Sequence, residues 1–401
     1  MNKDIDIVIY GATGFTGRLC AKYLSENYDS KEVKWAIAGR NLEKLEELNK
    51  ELSLNVEILI ADSEDQEALD VITARSKVIL STAGPFHRYS SKLVASCVKN
   101  RSHYTDITGE NFWVKGLIDL HHENAAEKGI RIVPSCGYDS LPSDLGTFFA
   151  VQRMNKPVKR VESFHTGQGG ASGGTIETMF SMGDLKLGKE MQDKFLLNPP
   201  NSISERQKEL TSDSVGIRKD KDINSWSGPF IMAMANTRVV RRSAALFSER
   251  QLGYGKDFTY VEKAFYKSPF NAILVSITTL LAGIILFTPL RKLLRPLFPK
   301  PGQGPSEEVM QNGFFDCLLL VESEDGDKAV YRMHGKGDPG YRVTSKFVCE
   351  SAIALTGDHN KLPGGEGYGG ILTPASAFGE VLVERLVKSG ITFEGPLTIS
   401  D

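Results

Sequence analysis

The sequence predicts an α/β fold: a doubly wound parallel sheet joined to a second, α+β domain. Three observations carry that prediction. A β-branched apolar run at 5–9 leads straight into Gly11, Gly14 and Gly17, strand and helix patterns then alternate to about residue 145, and beyond that point the rhythm breaks. Alternation of this kind puts crossover helices on both faces of a parallel sheet, in a Rossmann-like arrangement.

Residues 5–9 are near-continuous in isoleucine and valine, as a strand buried on both faces requires, and 18–26 carry the apolar spacing of a helix. Between them the chain must turn within GATGFTG. Glycine tolerates the backbone angles needed there, and free N–H groups at the helix start favour an anion. Gly11, Thr13, Gly14, Phe15, Thr16 and Gly17 are therefore the expected cradle for the diphosphate of a nucleotide cofactor. A second strand at 33–38 ends in Gly39 and Arg40, where NAD enzymes of this architecture place an acidic residue against the ribose 2′-hydroxyl. A guanidinium suits a 2′-phosphate instead, so the expected cofactor is NADP, with Gly39 leaving room for the adenosine.

A helix at 41–52 and a strand at 56–61 follow, closing on Asp62, which either reaches the adenine or caps the helix at 64–75. The strand at 78–81 runs into Thr82, Ala83, Gly84, Pro85 and Phe86, and the small residues Ala83, Gly84 and Pro85 would let the nicotinamide end approach. Helices at 89–100 and 111–128 and strands at 103–107 and 131–134 complete a first domain over 1–145. Beyond it come a longer strand at 158–166, a glycine-rich loop at 167–175, a helix at 176–195 and a polar, irregular stretch at 198–226. Residues 316–322 and 328–334 read as an antiparallel hairpin around a turn at 323–327, and helices at 344–355 and 375–388 close the chain. The expected division is a substrate domain over 146–374 and a C-terminal segment, 375–401, whose helix packs back on the first domain.

A chain of 401 residues with 41% apolar content can fill two cores, and a net charge of −2 makes no electrostatic case for nucleic acid. The five cysteines are scattered without CxxC or a histidine cluster, which points to reduced thiols in the cytoplasm and to no bound metal. His121 and His122, in a polar helical stretch, read as solvated. MNKDID passes directly into the first strand, so no signal peptide is expected. Short-chain dehydrogenases share the glycine spacing but need a tyrosine four residues before a lysine, and none of the twelve tyrosines here has one.

In order along the chain, GATGFTG, the AGR strand end, STAGPF, HYTDITGE and PSCGYDSLPSDLG resemble the saccharopine dehydrogenase-like oxidoreductases. Within that group the chain is most similar to the trans-acting enoyl reductases. GGASGGT, PGQGPSEE and the closing TPASAFGEVLVERLVKSGITFEG extend the similarity to nearly the whole chain. The resemblance implies an NADPH-dependent enzyme of lipid or glycolipid biosynthesis that reduces an enoyl double bond left by a polyketide synthase. Its substrate would be a lipid-like acyl thioester, and its partners an acyl carrier or the synthase itself. A saccharopine-type C–N dehydrogenase and a non-catalytic NADP-sensing regulator are the alternative readings.

A reductase must orient its substrate, stabilise an enolate and deliver a proton. Tyr138 is expected to donate that proton, with Asp139 or Ser140 binding it or the ribose; helix capping is their other reading. His165, ending a strand beside the glycine loop, is the second acid candidate or a structural histidine. Ser172 and Thr175 would donate to a thioester carbonyl, while Tyr104, Asp106 and Glu110 order either the cofactor pocket or a turn. The second domain shows no clear set of basic residues for an amino-dicarboxylate, which counts against the C–N reading; Arg238, Arg241 and Arg242 are a cluster that leaves it open.

Residues 268–290 carry no charge between Lys267 and Arg291 and are long enough to span a bilayer as a helix. A single crossing would split the second domain between two faces. The expectation is instead a shallow insertion over 268–300, broken near Pro289 and Pro296, with Arg291, Lys292, Arg295 and Lys300 toward the headgroups. The location is then cytoplasmic and peripheral at a membrane. A buried helix, or a contact between copies in a homo-oligomer, is the other reading.

Overall fold

The computed structural model describes residues 3–29, 31–170, 172–185, 189–213, 216–288, 291, 293, 295–298, 300 and 302–397. The first six strands are β1 (Ile5–Tyr10), β2 (Trp35–Gly39), β3 (Glu57–Ile60), β4 (Ser76–Ser81), β5 (His103–Asp106) and β6 (Arg131–Val133). They are followed by β7 (Val158–Gln168), β8 (Arg218–Asp220), β9 (Ser225–Gly228), β10 (Thr259–Tyr266), β11 (Phe314–Ser323), β12 (Lys328–Lys336), β13 (Gly370–Ile371) and β14 (Thr392–Leu397). Among the described residues they form two seven-stranded sheets, β13-β6-β5-β4-β1-β2-β3 and β14-β12-β11-β7-β10-β9-β8.

The first sheet is wholly parallel, and its centre explains its composition. Ile7 of β1 lies between Trp35 of β2 and Val78 of β4, with helices covering both faces. Helices Phe15–Asn27 and Thr344–Ala354 pack together on one face, and Gln66–Arg75, Ser91–Asn100 and Asn111–Glu127 pack side by side on the other. The second sheet is mixed, with β7 antiparallel to β11 and parallel to β10. Helix Leu141–Met154 is buried between the sheets. Its Leu145 and Phe148 share one apolar cluster with Ile7 of the first sheet and Leu319 of the second.

Several expectations give way to tertiary contacts. The chain returns to the first sheet well before residue 374, because helix Thr344–Ala354 covers that sheet and β13 pairs in parallel with β6. The helix expected at 176–195 spans only Gly173–Asp184, and the stretch at 198–226 holds helix Glu205–Leu210, β8 and β9. Helix Ala233–Glu249, β10 and β14 went unread in the sequence. In the first of these, three arginines and Ser243 are buried among the apolar residues and hide the apolar period. Arg238 and Arg241 grip the Asp213 carboxylate at 2.5 and 2.6 Å, and Arg242 donates to the backbone carbonyls of Leu197 and Ile371. These guanidiniums bind loops together and do not await an anionic substrate. His122 is not solvated either: its Nδ1 accepts from the Ile371 N–H at 3.1 Å, pinning β13.

The charge-free stretch forms helix Pro269–Phe287, capped at Thr288, and among the described residues no helix is long and apolar enough to cross a membrane. It lies against helix Gly173–Asp184. Arg291 and Arg295, which follow helix Pro269–Phe287, pair with Asp184 and Glu177 of helix Gly173–Asp184, so their charges tie the segment after Thr288 to it. Pro289 and Lys292 lie outside the described residues.

Candidate active site

The turn after β1 closes in a conformation that selects glycine. Gly11 has φ +84°, and a Cβ there would stand 3.0 Å from the Ala83 nitrogen of the β4 loop. A Cβ on Gly17 would come within 2.8 Å of Ala12 Cα, so only glycine lets the helix start against the turn. Thr82 Oγ1 donates to the Gly11 carbonyl at 3.2 Å and clamps the two loops. Helix Phe15–Asn27 opens at Gly14 with no side-chain cap and no acidic residue in its first turn. Its amides and dipole are left for an outside anion. Thr13 is exposed and Thr16 half-buried beside them. The Phe15 ring packs edge-on against Tyr341 at 5.1 Å, so its side chain serves packing with the second domain.

At the far side of the turn, Gly39 ends β2 and Arg40 is exposed. Burial pushes the nearby Tyr10 phenol up to about 12, with the Asp62 carboxylate adding to that rise and Arg40 opposing it. Asp62 Oδ1 accepts from the Glu64 N–H at 2.9 Å, while the cap of helix Gln66–Arg75 is Asp65, accepting from Ala68 N at 3.1 Å. The helix-cap reading of Asp62 is therefore replaced by a local turn.

With β2 and β3 on one side of β1 and β4, β5 and β6 on the other, the loops after the last three strands form the second half of the groove. Ala83, Gly84 and Pro85 lead into helix Phe86–Tyr89. The fully buried Glu110 carboxylate accepts the Phe86 N–H at 2.8 Å and the His87 N–H at 2.9 Å, and lies 2.5 Å from His87 Nδ1. His87 Nε2 meets Ser181 Oγ at 3.0 Å, on helix Gly173–Asp184. Asp106 accepts from Thr108 N at 2.9 Å, Ser135 N at 3.0 Å and the Tyr104 hydroxyl at 2.9 Å, joining the β5 and β6 loops. Burial holds its carboxyl up at about 7.

The β6 loop delivers Tyr138, half-buried, its ring edge-on to Phe315 at 5.4 Å. Burial first, then the neighbouring Cys317, raises its phenol above the ordinary range, so the hydroxyl keeps its proton. Burial also lifts the adjacent Asp139 carboxyl to about 6. Ser140 occupies the N-cap position of helix Leu141–Met154, yet its hydroxyl donates to Asn236 Oδ1 at 3.0 Å and makes no cap bond. Behind it lies a polar cluster of which the sequence reading held only His165. Asn236 Nδ2 donates to Glu262 Oε1 at 2.6 Å, Tyr260 OH to Glu262 Oε2 at 3.0 Å, and His165 Nε2 lies 2.6 Å from Ser163 Oγ. His165 is buried, stacks on Phe230 at 4.8 Å, and is driven down to about 3 by desolvation. That corrects its expected role: an imidazole held neutral at this depth has no cationic proton to give. Ser172 and Thr175 gather on the Tyr341 hydroxyl, which accepts from the Ser172 N–H and lies 2.8 Å from Thr175 Oγ1. An open cleft of about 700 Å³ lined by Lys115, Lys194 and Pro199 holds none of these residues.

Comparison with known proteins decides the family. Residues 7–133 match the saccharopine dehydrogenase NADP-binding domain. A trans-acting enoyl reductase of Mycobacterium ulcerans is 32% identical over 417 residues, covering 97% of each chain. A Mycobacterium tuberculosis relative is 33% identical over 425 residues, covering 98% of this chain and 97% of its own. The chain belongs to the trans-acting enoyl reductase family. Apo histidine-tagged saccharopine dehydrogenase (L-Glu forming) from Saccharomyces cerevisiae shares the fold, at a TM-score of 0.54 and 12% identity over 97% of this chain and 99% of that one.

This family member is an NADP-dependent oxidoreductase, and its uncapped helix start and glycine-only turn fit the cofactor's diphosphate. His87, Asn236 and Glu262 escaped the sequence reading. No spacing rule connects His87 to Glu110, or Asn236 in an arginine-rich helix to Glu262 in an undetected strand.

Burial raises the Glu262 carboxyl to about 7. A group raised in the folded state stabilises below its unfolded value, about 4, and loses that contribution as pH climbs through its folded one. Glu262→Gln does not titrate, so its melting temperature relative to the unsubstituted protein should rise from about pH 5 to about pH 7.5. Thermal melts across that range check it, and a constant or falling difference contradicts the assignment.

Proposed function

We propose that this protein uses NADPH to reduce the enoyl double bond of a lipid-like acyl or polyketide thioester, in lipid or glycolipid biosynthesis. The observation that carries the reading is near full-length likeness to proteins named trans-acting enoyl reductases. A trans-acting role supports a substrate presented by an acyl carrier or a polyketide synthase.

NADPH, when bound, supplies the hydride. In this reading the amides around Gly11, Thr13, Gly14, Thr16 and Gly17 take the diphosphate, Gly39 and Asp62 border the adenosine, and Arg40 takes the 2′-phosphate. Ala83, Gly84 and Pro85 border the nicotinamide. Tyr138, which keeps its proton, donates a hydrogen bond to the thioester oxygen, and that bond strengthens as enolate charge develops. Asp139 and Ser140 position its loop, while Ser172 and Thr175 line the approach beside Tyr341.

The helix Pro269–Phe287 supports a lipid-surface role. Its Phe270, Ile273, Leu274, Ile277, Leu280 and Leu281 are exposed by 48 to 71%, where a helix packed in a core would hide them. Lying flat, it would hold the enzyme at a membrane and bring an apolar chain beside helix Gly173–Asp184.

NADPH oxidation should follow addition of enoyl thioesters and not of lysine-derived substrates; oxidation with the latter favours C–N chemistry, and nucleotide binding without any turnover favours the regulator. Arg40→Ala should weaken NADPH by roughly 10- to 100-fold while leaving NADH nearly unchanged, the range set by loss of a charge-assisted hydrogen bond. Equal losses reject the 2′-phosphate assignment. Leu274→Glu with Leu280→Glu should abolish co-sedimentation with anionic lipid vesicles, and a loss of dimer mass in place of vesicle binding identifies the helix as a contact between copies.

A further inference from the structure

Three side chains from separate elements meet in one line. Glu110 follows β5, His87 follows β4, and Ser181 lies on helix Gly173–Asp184 of the second half. Glu110 is fully buried beside His87 Nδ1, while Nε2, on the opposite edge of the ring, meets Ser181 Oγ at 3.0 Å. The two backbone N–H groups that Glu110 also accepts fix the start of helix Phe86–Tyr89, so the ring's anchor and its origin are held by one carboxylate. Phe112 packs against the imidazole with centroids 5.3 Å apart, and 12% of the side chain stays open.

The position of this line matters as much as its chemistry. Gly84 lies three residues before His87, and a Cβ built on it would stand 3.6 Å from Thr178 Oγ1, one helical turn before Ser181. Helix Gly173–Asp184 thus roofs the loop that borders the nicotinamide half of the groove, with Ser181 aimed down at His87. An imidazole with one nitrogen fixed to a carboxylate and the other held by a hydroxyl that a substrate can replace is suited to proton transfer. Serine, histidine and a carboxylate also make acyl-transfer triads. Here Ser181 sits in mid-helix and is 1% exposed, which suits a positioning hydroxyl and not a nucleophile.

We propose that His87 is the proton donor of the reduction, with Glu110 and Ser181 as its positioning residues. The proposal rests on the enoyl-reductase reading. Once the β-carbon has received the cofactor's hydride, the electron pair left between the α-carbon and the carbonyl oxygen takes a proton from His87 Nε2. A C–H bond forms and the Nε2–H bond of the doubly protonated ring breaks, its pair staying on nitrogen; NADPH has become NADP⁺, and a proton taken up from solvent restores the imidazolium. Glu110 keeps Nδ1 protonated throughout, and substrate takes over the Ser181 contact to Nε2. The phenol of Tyr138 holds the carbonyl oxygen from the β6 side.

The test combines kinetics with a readout independent of turnover. His87→Gln should lower kcat for an enoyl thioester by at least about 100-fold, the usual worth of a positioned general acid, with KM, NADPH affinity and melting temperature little changed. Added imidazole should partly rescue His87→Ala. In the protein without cofactor, ¹⁵N-histidine NMR should show Nδ1–H at His87 with a downfield proton that Glu110→Gln removes, and Ser181→Ala should keep that signal while losing part of kcat. Full turnover by His87→Gln, or an His87 ring protonated only at Nε2, overturns the proposal. If the unsubstituted protein binds NADPH but reduces no enoyl thioester, the substrate reading fails, and the NMR result alone then decides whether Glu110 sets the ring for donation.

Discussion

The constraint on which the site depends is the contact between the turn after β1 and the loop after β4. Gly11 presses on Ala83 where no side chain fits, and Thr82 Oγ1 ties the two loops at the Gly11 carbonyl. That contact brings an uncapped helix start against the groove formed by the β4, β5 and β6 loops. An anion on the helix amides and a reacting group over those loops can then belong to one extended molecule. Every later feature of the site is placed relative to that junction.

The second sheet supplies the far wall, and buried polar groups decide how rigid it is. Asp106 and Glu110 each satisfy several backbone N–H groups, so the β5 loop carries its neighbours from β4 and β6 with it. Behind Tyr138 and Ser140, the cluster of Asn236, Glu262, Ser163 and His165 is shared by β7, β10 and two helices. Such a cluster is costly unless each member has a partner, and once satisfied it holds one geometry. The exposed apolar helix Pro269–Phe287 lies outside this rigid part, packed on the helix that roofs the β4 loop. The exposed apolar helix and the β4 loop are thereby joined through helix Gly173–Asp184.

Much of the first half was legible because its signals are local. A β-branched run, a glycine turn and a helical period lie within about twenty residues, and each follows from steric and burial rules at short range. Glu110 and Asp106 were readable as loop-ordering residues for the same reason, although not which partner each would take. His165, from its place at a strand end, read as either an acid or a structural histidine. Its actual state depends on Phe230 and on strands β10 and β11, none of which lies near it in sequence.

By itself, the sequence determined the doubly wound sheet, the glycine turn after its first strand and the guanidinium at the second strand, since each is set by neighbours a few residues away. Only the tertiary structure decided that residues 344–371 return to the first sheet, that Arg238, Arg241 and Arg242 serve the scaffold, and that His87 faces both Glu110 and Ser181. Those outcomes depend on which loops pack together after the chain has folded back over more than a hundred residues. Burial and pairing across such distances leave no period or spacing along the chain to read.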